Sequence, residues 1–434
     1  MEYFEIIGNN KLEGCVTPQG SKNEALQIIA ATILTDHKVT IKNIPNIRDV
    51  NILIDILDNL GVTIKKINNN IYSFQAKTIN LNYLFSENYK KSTLLIRGSI
   101  LLIGPLLSRY GFVKMFNPGG DKIGRRKIDT HLLALKHMGA VINFYHNTFD
   151  ISCKKLKGGY IILEEASVTG TANIIMASVL AKGKTYIYNA ACDPYITQLC
   201  IMLCNMGAQI SGIRSNLLII NGVDYLIGTQ HNISSDIIEI GSFIGLSAVT
   251  NSNIRINNID MEFMHVIINN FKKLGINIDI INNDILITDN KHYSISKYID
   301  GSILTISDAP WPGLTPDLIS IIIVTAIQAE GNILIHQKMF ESRLFFVDKL
   351  IDMGGQIILC DPHRAVVMGL NRKNNLQGTN MTSPDIRAGV SLLIAALSAN
   401  GKSIIKNIEQ IDRGYENIDK KINLIGGKIN RIFI

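Results

Sequence analysis

Several short stretches of the chain place cations, carboxylates and glycines at spacings that suit the chemistry of anions. Asn117-Pro118-Gly119-Gly120-Asp121-Lys122-Ile123-Gly124-Arg125-Arg126 carries three glycines within six residues and ends on two arginines. Such a segment suits a lid over a ligand as well as it suits a surface hairpin. Gly20-Ser21-Lys22-Asn23 opens an apolar run, so Lys22 falls where free N–H groups and the helix dipole favour a phosphate. A solvated lysine at a helix start is the plainer alternative. Ser167-Val168-Thr169-Gly170-Thr171 offers hydroxyls and a glycine at another helix start, for capping or for ligand contact. Thr315-Pro316-Asp317 and Ser383-Pro384-Asp385 each supply a cap residue, a proline in the first turn and an acid against the dipole. Helix stabilisation alone would explain both acids. Arg97, Arg343, Arg387 and Arg413 recur at helix starts and strand ends, and a guanidinium binds carboxylate or phosphate bidentately.

Other chemistries find little support. There is no GxGxxG after a first strand, no Walker A motif and no HExxH. His131, His265, His336 and His363 are scattered and read as structural residues. The six cysteines (Cys15, Cys153, Cys192, Cys200, Cys204, Cys360) include no CxxC pair, and Cys200 with Cys204 reads as small buried hydrophobes rather than a metal site. Neither a metal nor a cofactor is expected. The net charge of +7 allows an anionic small molecule, but no dense basic run with interleaved aromatics suggests nucleic acid. The longest apolar stretch, Leu318–Ile327, is too short to span a bilayer, and no signal-like start opens the chain. A cytoplasmic protein with no membrane partner is the expectation. The many asparagines read as codon bias from an AT-rich genome.

The elements that must position these residues repeat. A [Leu/Met/Ile]-Gly-x-x-Ile pattern recurs around Gly61, Gly139, Gly207, Gly275, Gly354 and Gly426, at spacings of 78, 68, 68, 79 and 72 residues. Any one of these is a helix-capping glycine leading into a strand; six at near-constant spacing mark a repeat. Each follows a strand-like run that usually ends in asparagine, as at Asn43, Asn117, Asn189, Asn257 and Asn407. Before each strand lies a nearly uncharged helix: Glu24–Leu34, Gly98–Ser108, Ala172–Ala181, Glu239–Val249, Asp317–Ala329 and Ala388–Ala399. A helix apolar all round is buried. The other helix of each unit, such as Asp49–Leu60 or Arg343–Met353, carries charge and is half exposed. The 434 residues, 47% hydrophobic and 18% charged, suffice for two cores. Six units of about 70 residues, too long for a solenoid, are expected to assemble as three plus three around buried helices, with a catalytic cleft between the two domains.

Taken in order, Gly-Ser-Lys-Asn, Pro-Gly-Gly-x-x-Ile-Gly-x-Arg, Phe-Glu-Ser-Arg (Phe340 to Arg343), Asp-x-Arg-Ala (Asp385 to Ala388) and Asp-Arg-Gly-Tyr-Glu (Asp412 to Glu416) resemble the UDP-N-acetylglucosamine 1-carboxyvinyltransferases, of the enolpyruvyl transferase family. The resemblance runs from about residue 2 to 430. It implies an α/β fold of two inside-out α/β barrels, EPSP synthase-like, with six repeats, three per domain. One domain, 22–233, would be inserted and carry the catalytic loop; residues 1–21 plus 234–434 would form the other. Lys22 and Asn23 match a phosphoenolpyruvate-contacting pair, and Arg97 the arginine before the second inner helix. Arg126, Lys127, Ile128, Asp129 and Thr130 match the stretch that holds nucleotide sugar and phosphate. Glu165 to Thr169, including Ser167 and Val168, match the uridine-side segment. Asp317 matches the aspartate beside the sugar 3-hydroxyl. Met339, Arg343, Arg387 and Arg413 match contacts to the sugar or the enolpyruvate anion. The chain departs from the family pattern at Thr169, commonly glycine, at Glu165, commonly lysine, at Lys127, commonly proline, and at Asp121, where many members carry cysteine.

The reaction so implied moves enolpyruvyl from phosphoenolpyruvate to the 3-hydroxyl of UDP-N-acetylglucosamine and releases phosphate, the first committed step toward peptidoglycan. Asp121 would be the acid, Asp317 the base, and Lys22, Arg126 and Arg413 electrostatic anchors. A free aspartate titrates near ~3.9, and the cations Lys122, Arg125 and Arg126 favour its anion further. Asp121 is therefore expected to donate a proton only when bound anions and closure offset them. A carboxylate is also a poor nucleophile toward an epoxide, so resistance to fosfomycin, which alkylates the cysteine of other members, is expected. Two alternatives stay open on sequence: transfer of the same group to shikimate 3-phosphate, and a UDP-sugar-binding paralogue without catalysis.

Overall fold

The computed structural model describes residues 2–121, 124 and 126–433. Lys122, Ile123 and Arg125 of the glycine-rich loop lie outside the described residues. The chain divides into two compact units, one of residues 20–121 with 126–234, the other of 2–19 with Gly124 and 235–433.

One local pattern recurs in both. A central strand pairs antiparallel with the second strand of a hairpin, and the hairpin's first strand lies outermost, as in Val39–Lys42, Ile71–Gln75 and Thr63–Asn68. On the other side the central strand takes a parallel edge strand, as Lys184–Tyr188 takes Tyr160–Ile162. An outer helix links central strand to hairpin, and the repeat glycine ends it. All six glycines have positive φ, from 86° at Gly275 to 101° at Gly426, a conformation that costs other residues Cβ strain. This is the physical content of the Gly-x-x-Ile signature.

Three of the asparagines at strand ends have a structural role. Asn43, Asn189 and Asn407 have φ of 59°, 56° and 60°. Their amides donate to the carbonyls of Ile233, Leu163 and Ser383 at 2.9, 2.9 and 2.7 Å. Each tolerates the left-handed turn after a central strand and ties down the chain leaving the neighbouring parallel strand.

The inner helices are buried as their composition requires. Ile237–Val249 and Ile386–Ser398 expose no residue, and both touch Ile319–Ile327. In the other unit, Lys22–Ala31, Arg97–Tyr110 (a 3-10 turn running into α-helix) and Val168–Ser178 pack together. Close approach needs small residues: a Cβ on Gly245 would lie 2.7 Å from Ile321 Cγ2 and 2.8 Å from Thr325 Oγ1.

Two sheets depart from the pattern. The sheet of Phe112–Phe116, Thr148–Ser152 and Val141–Tyr145 has three strands; in place of the parallel edge strand the chain forms the helix Glu87–Leu95. In the last repeat Ile429–Phe433 is the hairpin's first strand, and Glu2–Ile7 from the chain start supplies the second, between it and Lys402–Lys406. The two segments that pass from one unit to the other each leave an edge strand behind. Glu13–Val16 pairs with Asn253–Ile256, and Gln230–Asn232 pairs with Val39–Lys42.

One outer helix is shorter than its sequence suggests. The charge pattern predicts Arg343–Met353, but the helix spans Val347–Asp352, and turns and bends occupy 341–346. These turns deliver the Arg343 guanidinium to Asp317, 2.6 Å away. Among the described residues no single helix is long and apolar enough to cross a membrane.

Candidate functional site

In the unit of residues 20–121 and 126–234, Ser21 caps the first inner helix, its hydroxyl accepting from Glu24 N–H at 3.4 Å. Lys22 is the first helical residue. It is buried, and its ammonium lies 2.7 Å from Asp49 in the first turn of the outer helix Arg48–Asn59. The lysine is therefore buried and ion-paired rather than solvated. Asn23 is half-buried beside it. Glu24, one turn in, pairs with His231 at 2.9 Å; burial holds its carboxyl above the ordinary range despite that partner.

A second cluster gathers around Arg97, which opens the second inner helix. Its guanidinium donates to the carbonyl of Arg126 at 3.0 Å, and Arg126 donates to the carbonyl of Asp121 at 2.8 Å. Burial and then the adjacent Arg126 lower Arg97 to about 10, with Glu165 opposing. The approach needs glycine. A Cβ on Gly119 would lie 1.7 Å from the Leu94 carbonyl, and one on Gly120 (φ 105°) 2.9 Å from Arg97 Cβ and 3.2 Å from Arg126 Nη2. Gly119 and Gly120 thus let residues 119 and 120 approach Leu94 and the two arginines. Asp121 is half-buried at the end of this segment. Lys127 and Asp129 are exposed, Ile128 half-buried and Thr130 buried, where the helix Asp129–His137 begins.

The third cluster joins that helix to the third inner helix. Ser167 caps Val168–Ser178, its hydroxyl accepting from Gly170 N–H at 3.2 Å. Thr169 Oγ1 is 3.3 Å from His131 Nε2, and His131 Nδ1 is 2.9 Å from the Asn173 amide. Burial, then Arg97, lowers His131 to about 3, so its ring is neutral at physiological pH.

The other unit carries a carboxylate held by arginines. Asp317 lies in the 3-10 turn Pro316–Leu318 and does not cap it. One of its oxygens accepts from Arg343 at 2.6 Å, the other from Arg387 at 3.1 Å. Burial opposes the charge on Arg387, yet Asp317, then Tyr415 and Asp236, raise it above its ordinary range. Arg387 lies over the Tyr415 ring and Arg343 over the Phe340 ring, at 5.4 and 5.0 Å. Arg343 Nε and Arg387 Nη1 are buried with no partner among the described residues, so each has a donor to spare for an anion. Arg413, buried in the turn Ile408–Arg413, donates to Gln410 at 2.8 Å. Met339 is exposed at its side chain, and its N–H donates to Asp308 at 3.2 Å.

Sequence reading did not single out Asp49 or Asp308. Buried Asp308 ends the strand Leu304–Ser307 and takes Gln337 Nε2 and the N–H groups of Lys338 and Met339, fixing the loop that bears Met339. Burial raises its carboxyl despite these donors. Its signal in sequence is only an acid at a strand end, and that of Asp49 an acid in a helix's first turn; neither differs from common structural acids.

Six α/β repeats, each with a buried inner helix beneath its sheet, define the two-unit, inside-out α/β class of protein. A family model described as EPSP synthase (3-phosphoshikimate 1-carboxyvinyltransferase) matches residues 6–422, and the chain belongs to this family. It is 57% identical over 434 residues to a UDP-N-acetylglucosamine 1-carboxyvinyltransferase of Bacteroides fragilis, covering all of both chains. It is 45% identical over 432 residues to the enzyme of that name from Borreliella burgdorferi, covering 100% of this chain and 99% of the relative. Among solved structures, the enolpyruvyl transferase NikO from Streptomyces tendae superposes with a TM-score of 0.88 at 20% identity, covering 99% of each chain. EPSP synthase from Acinetobacter baumannii gives 0.75 at 18%, covering all of both chains. At these identities the structural likeness speaks for the fold.

Proposed function

We infer that the chain transfers enolpyruvyl from phosphoenolpyruvate to the 3-hydroxyl of UDP-N-acetylglucosamine, releasing phosphate, as the first committed step of peptidoglycan synthesis in the cytoplasm. The observation that carries this reading is end-to-end likeness to enzymes of that name, without a gap in coverage. The buried arginines suit the substrates: a carboxylate, a phosphate and a diphosphate require cations with donors to spare.

In this reading Asp317 takes the proton of the sugar hydroxyl as its oxygen bonds to the central carbon of phosphoenolpyruvate. Asp121 gives a proton to the methylene carbon, and a tetrahedral adduct forms. Loss of phosphate with return of a methyl proton to Asp121 restores the double bond. Lys22, Arg126 and Arg413 balance the anions, and Asn23 and Arg97 add further polar contacts. Arg343 and Arg387 hold Asp317 in place; when they turn donors to a substrate anion, its carboxylate becomes the stronger base. Residues 126–130, 167–169 and Met339 hold the nucleotide sugar.

The test is phosphate release from phosphoenolpyruvate by the purified chain, with UDP-N-acetylglucosamine and with shikimate 3-phosphate as separate acceptors. Release with the UDP-sugar alone is expected. Release only with shikimate 3-phosphate, or with neither, would overturn the reading.

A further inference from the structure

Gln337 follows the strand Asn332–His336 and is fully buried. Its amide has a fixed direction. Asp308 accepts from the N–H groups of Lys338 and Met339 and from Gln337 Nε2, so donors reach both of its oxygens. An amide oxygen only accepts, which turns Gln337 Oε1 away from that carboxylate. Oε1 is buried and has no hydrogen-bond partner among the described residues. The same holds for Arg343 Nε, although Nη2 of that guanidinium donates to Asp317 at 2.6 Å. Gln337 and Arg343 line one small cavity, together with Ser320, Asp385, Ile319 and Ala388. Among the described residues, no other side chain lining it carries a buried polar atom without a partner.

The two atoms are complementary, one an acceptor and the other a donor. A single guest that satisfies both must accept from Arg343 and donate to Gln337. An anion would be repelled by Gln337 Oε1 and the Asp385 carboxylate, and a cation by the Arg343 guanidinium. The cavity gives about 10 Å³ to the centre of a water-sized sphere, room for one water. Cavities lined by unsatisfied polar groups hold water, whereas empty ones are apolar.

We propose that one buried water occupies this cavity and makes Gln337 a positioning residue for Asp317: the water accepts from Arg343 Nε and donates to Gln337 Oε1, which holds the guanidinium against the carboxylate. Its second hydrogen goes to Ser320 Oγ, which donates its own proton to the Arg387 carbonyl at 3.3 Å and keeps its lone pairs for the water. Asp308 acts one step further back, by fixing the direction of the Gln337 amide. The spare Nε donor of Arg343 is then satisfied within the protein, and Arg387 Nη1 is the one left for a substrate anion. The effect on catalysis rests on Asp317 being the base; the water site itself does not.

The experiment compares crystal structures of wild type and Gln337→Met at a resolution that shows ordered water. Wild type should hold a water within hydrogen-bond distance of both Arg343 Nε and Gln337 Oε1. Methionine keeps the length of the side chain but removes the acceptor. In Gln337→Met the water should be lost, and the Arg343 guanidinium should leave Asp317 or divide between two positions. The acid limb of the kcat profile should then move up by about one pH unit, because a carboxylate relieved of an opposite charge titrates higher. Arg387 still faces Asp317, so the limb moves rather than disappears. A merely structural defect would lower stability and leave the limb in place. Ala388→Val, which fills the cavity and spares the Gln337–Asp308 bond, should shift the limb in the same direction, and it serves as the variant if Gln337→Met does not fold. Absence of the water in wild type overturns the proposal. So does an Arg343 that stays seated on Asp317 once the water is gone, or an acid limb that does not move. If wild type releases no phosphate with the UDP-sugar, the functional reading fails, and the crystal structures still decide the water and its hold on Arg343.

Discussion

Asp317 and Asp385 occupy equivalent places in successive repeats, each after a proline at a helix start, yet they face different ways. Asp385 accepts from the N–H groups of Arg387 and Ala388 at 2.8 and 2.9 Å and caps its helix. Asp317 leaves its turn uncapped and gives its oxygens to Arg343 and Arg387.

The two aspartates should therefore fail differently. Asp385→Ala is expected to lower unfolding free energy by about 1 kcal/mol, the usual loss of a cap. Asp317→Ala leaves two largely buried guanidiniums uncompensated and is expected to cost about 3–5 kcal/mol. Asp317→Asn, which keeps the volume, should lower kcat by at least about 100-fold if the group is the base. Urea titrations and phosphate release measure these; a fully active Asp317→Asn would refute the base assignment.

Replacement Asp121→Asn is expected to cut turnover by at least about 100-fold while UDP-sugar affinity is retained. Wild type should survive prolonged incubation with fosfomycin, because a carboxylate attacks an epoxide poorly. Asp121→Cys should acquire time-dependent inactivation and a covalent mass increase. Rapid irreversible loss of wild-type activity would contradict this account.

His131 predicts an acid limb of stability. Its folded pKa of about 3 lies below its ordinary 6.5, so between those values the unfolded chain binds the extra proton. The contribution is intact above pH 6.5 and drains as pH falls toward 3, by up to about 1.4 kcal/mol per pH unit. Denaturant midpoints of wild type and His131→Asn, measured from pH 7 to pH 4, should converge as pH falls. Parallel curves would show that His131 does not carry this limb.

The strand Glu2–Ile7 completes the last repeat, and Phe4 within it is fully buried beneath the Arg431 guanidinium, 4.9 Å from its ring. Phe4→Ala is expected to cost about 3–5 kcal/mol. Calorimetric melting would register it, and an unchanged Tm would mean that the strand is dispensable.

Much of this protein was legible in one dimension because its constraints are local. A positive-φ turn after each outer helix demands glycine at Gly61 and its five equivalents, and a buried helix demands a charge-free run such as Ile237–Val249. Both leave periodic marks, so the six repeats, the inner helices and most helix limits follow from residue order. The start of the Arg343 helix does not, since helical propensity there yields to the contact with Asp317. Nor does the N-terminal strand, whose partners lie at the far end of the chain. The site divides the same way. Motif order identifies Lys22, Asp121, Asp317 and the arginines as candidates. Tertiary structure alone decides that Lys22 is paired with Asp49, that Asp317 faces two arginines while Asp385 caps, and that His131 lies between Asn173 and Thr169. Charge pairing and hydrogen-bond direction depend on distances between residues far apart in sequence, and no spacing along the chain encodes them.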